Sequence, residues 1–251
     1  MFLGIDVGGT HTDAVLLEET SEGLVRPIDA SKAKTGQRVI ESLAKVFDEL
    51  LTGDRPSRLT RLTVSSTLGL NSILTNTADP VGVMATGGPG LALDPLDWGP
   101  LYRALPGQQD HRGHILETVT TDQALEATKS LVANGASSLV VASKFGPKNP
   151  ELEDIMLKAA SQAFTGPVMA ASKLFGGLNF PRRLGGAVLN AAVKRLYDNF
   201  IDDLTEIAAK RGLKCPIYIL KADGGVMSLD AARERPVLAL ASGPAASLLG
   251  L

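Results

Sequence analysis

Apolar residues recur along this chain with two different periods, and the periods alternate. Phe2-Leu3-Gly4-Ile5-Asp6 reads as a buried strand, Val7-Gly8-Gly9-Thr10-His11 as a turn, and Thr12 to Leu17 as a second strand, a glycine-turned hairpin. Helical spacing follows at Ile40, Leu43, Phe47 and Leu50, with Thr35 ahead of it as a cap. Short apolar runs at 62–65 and 81–85 read as strands, with a helix over 68–74 between them. Gly87-Gly88-Pro89-Gly90 then breaks regular structure, and the proline-rich text from Leu91 to about Gly113, which holds Trp98, reads as a loop-rich excursion.

Beyond that excursion helix and strand alternate. Thr121 caps a predicted helix ended by Gly135, followed by a strand over 138–142; Asn149 and Pro150 open another, stopped by Gly166 before a strand over 167–171. The longest periodic segment, from Gly186 to Arg211, carries Leu189, Val193, Leu196, Phe200, Leu204 and Ile207 on one stripe. Ile217 to Leu220 reads as a strand leading into Asp223-Gly224-Gly225, and Ser228 caps a short helix closed by Pro236. Such alternation implies an α/β fold with a layered sheet. The expected division is 1–88, 89–180 and 181–251, with hinges at Gly87–Gly90 and Phe175–Gly177.

Composition narrows the function classes. Twenty-five basic against 27 acidic residues give a net charge of -2, and aromatic content is 4%, which argues against nucleic acid as a partner. No apolar run approaches the roughly 20 residues of a membrane span, so a cytoplasmic setting is expected. The single cysteine, Cys215, reads as a structural thiol. His111 and His114 have a spacing that a metal could use, but Gly113 and the loop context argue against a rigid site. Arg182-Arg183 reads as an anion clamp or a solvated basic corner.

The candidate chemistry concentrates at the first turn. Gly8 and Gly9 leave main-chain N–H groups bare for phosphate oxygens, Thr10, His11 and Thr12 add polar groups, and Asp6 and Asp13 put a carboxylate on each side. Asp6, at the strand end, is placed to hold a hydrated Mg²⁺. The turn joins two strands and no lysine follows it, so it is neither a dinucleotide fingerprint nor a Walker loop.

Asp6 to Asp13 resembles the first phosphate motif of the actin, hexokinase and Hsp70 superfamily, in the version typical of the hydantoinase/oxoprolinase family. The segment from Ser65 to Leu74 is similar to that family's Gly-Thr-Thr-Val-Ala-Thr-Asn-Ala-Leu-Leu, with Thr67 and Asn71 matching and Ser65 and Leu70 departing. Asp223-Gly224-Gly225-Val226-Met227-Ser228, Arg235-Pro236-Val237 and Ser242-Gly243-Pro244-Ala245-Ala246 resemble three further blocks in order, and the helix starts beside Ser228 and Pro244 would offer N–H groups to an anion. The resemblance implies a ribonuclease H-like lobe of an actin-like ATPase, a mixed sheet flanked by helices with a second, smaller α/β subdomain.

It implies ATP and Mg²⁺ as cofactors. Asp6, Asp13, Thr67 and Asn71 would act in catalysis, and Gly8, Gly9, Thr10, His11, Thr12, Asp223, Gly224, Gly225, Ser242 and Gly243 would hold the nucleotide. The implied reaction is ATP-dependent hydrolysis of a cyclic amide such as a hydantoin or 5-oxoproline; a small-molecule kinase and a nucleotide-sensing subunit are the alternatives. In the family a second Asp-x-Gly-Gly-Thr hairpin follows the Ser-Gly-Pro-Ala-Ala block. The resemblance therefore leaves a fragment of a longer protein, a partner subunit bearing the other lobe, or a homo-oligomer open.

Overall fold

In the computed structural model residues 1–36, 39–93 and 99–249 are described. The opening hairpin is formed by β1 (Phe2–Val7) and β2 (His11–Glu19), paired from Phe2↔Leu17 to Val7↔Thr12. Alternation sends Leu3, Ile5, Val7, Ala14 and Leu16 into the core. β2 continues into β3 (Val25–Lys34), an edge strand that the hydrophobic pattern did not predict: of its residues only Ala33 is buried. Its ladder shifts between Leu16 and Leu17, beside Pro27, which has no N–H to donate.

Helix α1 (Val39–Leu50) buries Leu43, Val46, Phe47 and Leu50. Thr35, expected as its cap, instead donates its hydroxyl to Gly8 O at 3.0 Å. After the single turn α2 (Arg55–Arg58) come β4 (Arg61–Ser66), parallel to β1, and α3 (Leu68–Leu74).

A second set of elements follows: β5 (Val81–Gly87), β6 (Tyr102–Gln109), β7 (Ile115–Glu117), α4 (Thr121–Ala133), β8 (Ser138–Ser143), α5 (Glu151–Ala163), β9 (Val168–Ala170) and α6 (Ala171–Leu174). β6 lies where the sequence predicts loop. Pro106 and Gly107, with φ 131°, break its pattern, yet Tyr102 to Leu105 pair in parallel with β5 before the register shifts. Trp98 lies outside the described residues. The cap of α4 is Thr120, not Thr121, because Gln123 sits at the position that completes a capping box with it. Asn149 does support the start of α5, its Oδ1 accepting from Glu151 N at 3.0 Å.

Helix α7 (Phe180–Lys210) begins six residues before the predicted start at Gly186. Asn179 Oδ1 accepts from Arg182 N at 3.0 Å and caps it, and Gly185-Gly186, which looks like a break in sequence, runs on as helix. Then come β10 (Ile217–Leu220), β11 (Val226–Ser228), α8 (Leu229–Glu234) and α9 (Ser242–Leu249).

The protein is α/β with two mixed sheets flanked by helices. One has the order β11-β10-β4-β1-β2-β3, with β1, β4 and β10 parallel; the other is β7-β6-β5-β8-β9, parallel except for β7. Two compact units result, residues 1–77 with 193–251 and residues 78–192. These joins differ from those read in the sequence at 88/89 and 180/181, which fall just after β5 and at the start of α7. Among the described residues no helix is long and apolar enough to cross a membrane.

Candidate functional site

β1, β4 and β10 run in parallel, so the turns that follow them leave the sheet at one end, where open α/β sheets place ligands. The hairpin turn is closed by Gly8 N donating to His11 O at 2.9 Å, and Thr67 N donates to Val7 O at 3.0 Å, tying the start of α3 to β1. A β-carbon on Gly8 would stand 2.8 Å from His11 O, and one on Gly9 2.7 Å from Asn71 Nδ2. Close approach of main chain therefore requires Gly8, whereas at Gly9 it is the movable Asn71 amide that lies over the turn. The same amide donates to Thr67 Oγ1 at 3.3 Å.

Asp6 is half-buried at the end of β1, opposite Asp13 on β2 and Ser65 on β4. Ser65 Oγ donates to Asp6 Oδ1 at 2.5 Å. Asp13 pairs with Lys32 Nζ at 2.9 Å. A β-carbon on Gly243 would come within 2.7 Å of Thr67 Cγ2 and 4.0 Å of Asp6 Oδ1, so the start of α9 passes close to the carboxylate. Asp6, Gly8, Gly9, Thr67, Asn71 and Gly243 are thus gathered in one unit of the protein.

Other predicted site residues are placed differently. Thr12 is fully buried, its hydroxyl 2.8 Å from Ser42 Oγ and 3.2 Å from Thr35 Oγ1, so it braces the hairpin from beneath. Ser242 is also buried: its hydroxyl accepts from Ser66 N and donates to Ser66 O, both at 3.1 Å, which fixes Gly243 against β4. Thr10 and His11 are exposed at the turn, with His11 Nδ1 3.2 Å from Thr10 Oγ1.

The Asp223-Gly224-Gly225 turn follows β10 and is self-contained. Asp223 Oδ2 pairs with Lys221 Nζ at 2.9 Å and Oδ1 accepts from Gly225 N at 2.9 Å; Gly224 has φ 83°. The Lys221 contact, then the Gly225 N–H, hold the Asp223 carboxyl below the usual range. Ser228 caps α8 with its own side chain, accepting from Ala231 N.

Sequence reasoning did not find the Ser65–Asp6 hydrogen bond. Strand register carries that signal: two polar residues that end neighbouring parallel strands face the same way. Arg183 is neither clamp nor solvated corner: it is 2% exposed and donates to Gly177 O, Ser143 O and Lys144 O. Cys215 packs against the core, and burial pushes its thiol up. His114 pairs with Asp110 at 3.2 Å, and among the described residues no three or more His, Cys, Asp or Glu side chains gather as a metal cage.

Residues 2–164 match the family description "Hydantoinase/oxoprolinase N-terminal region". The chain belongs to the hydantoinase/oxoprolinase family. Residues 183–251 match a second description of that family, "Hydantoinase/oxoprolinase". Uncharacterized protein MJ0964 of Methanocaldococcus jannaschii is 29% identical over 69 residues, 28% of this chain and 10% of that protein. A nucleotide-free acetone carboxylase, from work on ATP-dependent acetone carboxylation, superposes with a TM-score of 0.80 at 20% identity over 100% of this chain. The ATP-dependent caprolactamase of Pseudomonas jessenii does so with a TM-score of 0.79 at 20% identity over 98%. At that identity the likeness is one of fold. This family member spans 40% and 39% of those two solved chains.

Proposed function

We propose that this chain supplies the phosphate-cradling side of an ATP-dependent enzyme that activates a cyclic amide for hydrolysis. The observation that carries the reading is the convergence of the Gly8-Gly9 turn, the Asn71 amide and the Asp6 carboxylate at one end of parallel strands, although the Gly8 N–H, expected bare, closes the turn onto His11 O. Membership of the hydantoinase/oxoprolinase family supports the cyclic-amide class, and the fold shared with a caprolactamase supports a lactam within it. The acetone carboxylase of the same fold points to a broader reading, in which a ketone takes the place of the amide.

The donor chemistry fits Mg²⁺: Asp6 offers a half-buried carboxylate at the strand end, a hard oxygen ligand of the kind a hydrated cation takes beside phosphate oxygens. Bound there, the ion would neutralise charge on the terminal phosphates as the γ-phosphoryl group leaves ADP. Asp6 would hold the cation side, Gly9 would give a main-chain donor, and the Asn71 amide lies over the turn. The amide oxygen would take the phosphoryl group, one water would add to the ring carbon so that the C–N bond breaks to an amine and an acyl phosphate, and a second water would release phosphate and the ring-opened acid. A second lobe, from further along the polypeptide or from a partner subunit, would complete the site, since donors on one side alone preorganise little.

Calorimetry of the intact protein should show ATP binding that requires Mg²⁺. Phosphate release should rise with a hydantoin, 5-oxoproline or caprolactam and yield the ring-opened acid. Phosphorylated product with an intact ring would establish a kinase instead, and binding with no turnover under any substrate a nucleotide sensor.

A further inference from the structure

Four side chains stand in one row across the first sheet. Strand register places Lys32 opposite Asp13, Asp13 opposite Asp6, and Asp6 opposite Ser65. Directly opposed residues share a face and have β-carbons roughly 5 Å apart, so the two carboxylates are neighbours that repel. The row gives each a different partner. Lys32 neutralises Asp13 through an ion pair at 2.9 Å, whereas Asp6 receives only a neutral hydroxyl, Ser65 Oγ on Oδ1 at 2.5 Å.

Ser65 is itself 5% exposed, and its backbone is locked in the β1–β4 ladder; its hydroxyl stands 2.5 Å from Asp6 Oδ1 and 3.5 Å from Ile5 O, so the carboxylate is the nearer acceptor. A hydroxyl bond of this kind leaves the negative charge of Asp6 intact. It holds Oδ1, the carboxylate oxygen that lies 4.0 Å from where a β-carbon on Gly243 would stand, at the start of α9.

We infer that Ser65 is a positioning residue for the cation site: it fixes the orientation of the Asp6 carboxylate at the strand end, while Lys32 removes Asp13 from competition for the divalent ion. The inference rests on the reading of Asp6 as the cation-holding residue. Bonds that orient a metal-holding side chain are worth about 10-fold or more in metal affinity.

The test is Mn²⁺ and Mg²⁺ titration of the intact protein with a non-hydrolysable ATP analogue, followed by calorimetry. Ser65→Ala should weaken the divalent ion about 10-fold, with melting temperature and nucleotide binding in EDTA unchanged, and Ser65→Thr should recover most of the loss. Asp6→Asn separates this inference from the functional reading. If Asp6→Asn abolishes divalent-dependent binding and Ser65→Ala binds like the parent, the positioning role is wrong and the reading of Asp6 stands. If neither changes binding, both are wrong. Should Ser65→Ala fail to fold, Ser65→Gly carries the same titration, and parental affinity in it overturns the role.

Discussion

Each unit ends parallel strands on glycine-containing turns, and the two put their polar groups there to opposite uses. In the first, Asp6 is half-buried, Gly9 exposed and the loop stripped of side chains. In the second, the polar groups at the ends of β5 and β8 are turned inward. Glu153 is fully buried, one carboxylate oxygen accepting from Ser143 N and the other from Ser172 N, both at 2.9 Å. Arg183 is buried beside it, spending its donors on loop carbonyls. The first strand end is the one at which we propose a ligand; the other is a closed knot that holds its own loops.

That contrast can be broken from either side. Arg183→Met strands loop carbonyls and removes the cation facing Glu153, so it should destabilise the unit of residues 78–192 by about 3–4 kcal/mol in denaturant unfolding. Nucleotide binding by folded protein should persist. Gly9→Val acts in the opposite sense. Its side chain would displace the Asn71 amide, and ATP affinity should fall about 100-fold by calorimetry with little change in melting temperature.

Titration sharpens the contrast. Burial, opposed by Ser172, Ser143 and Arg183, raises the Glu153 carboxyl above its ordinary value of 4.5. Between the unfolded and folded values the native state binds more proton, so stability is greatest below 4.5 and is lost as pH rises through the folded value. Thermal unfolding across this range should slope downward for the parent and flatten in Glu153→Gln. In the first unit Asp29 has the opposite sign: Arg55, then the Ala30 N–H, hold it low, so its contribution is lost on acidification. The smallest effect is expected from Thr12→Val. Cutting the buried contacts with Ser42 and Thr35 should cost about 1 kcal/mol and weaken ATP binding only slightly.

The hairpin, α1, the strands with clear alternation and the long helix were legible because their apolar residues repeat with the period of the element they form. β3 was not: it carries Arg26, Pro27, Asp29 and Lys32 and is held by pairing with β2, not by burial. β6 was hidden by Pro106 and Gly107, turn residues that fall at the shift in its register with β5, between Leu105 and Gln108. In the candidate site, Gly8 could be singled out from sequence because a β-carbon there would crowd the main chain at His11 O. The inward roles of Thr12 and Ser242 could not, since a hydroxyl in a polar motif looks the same whether it meets a ligand or Ser66. Arg183 misled for a similar reason, its burial being settled by carbonyls distant in sequence.

The unit that carries Asp6 is discontinuous in the chain: β4 finds its partner β10 only after the whole of residues 78–192 has been made. At translation rates of about 5–20 residues per second, the free edge of β4 waits on the order of ten seconds for that strand. The inserted unit can meanwhile complete itself. During biosynthesis the vulnerable species is thus a half-built sheet with one open side, and chaperone capture or aggregation should select that stage.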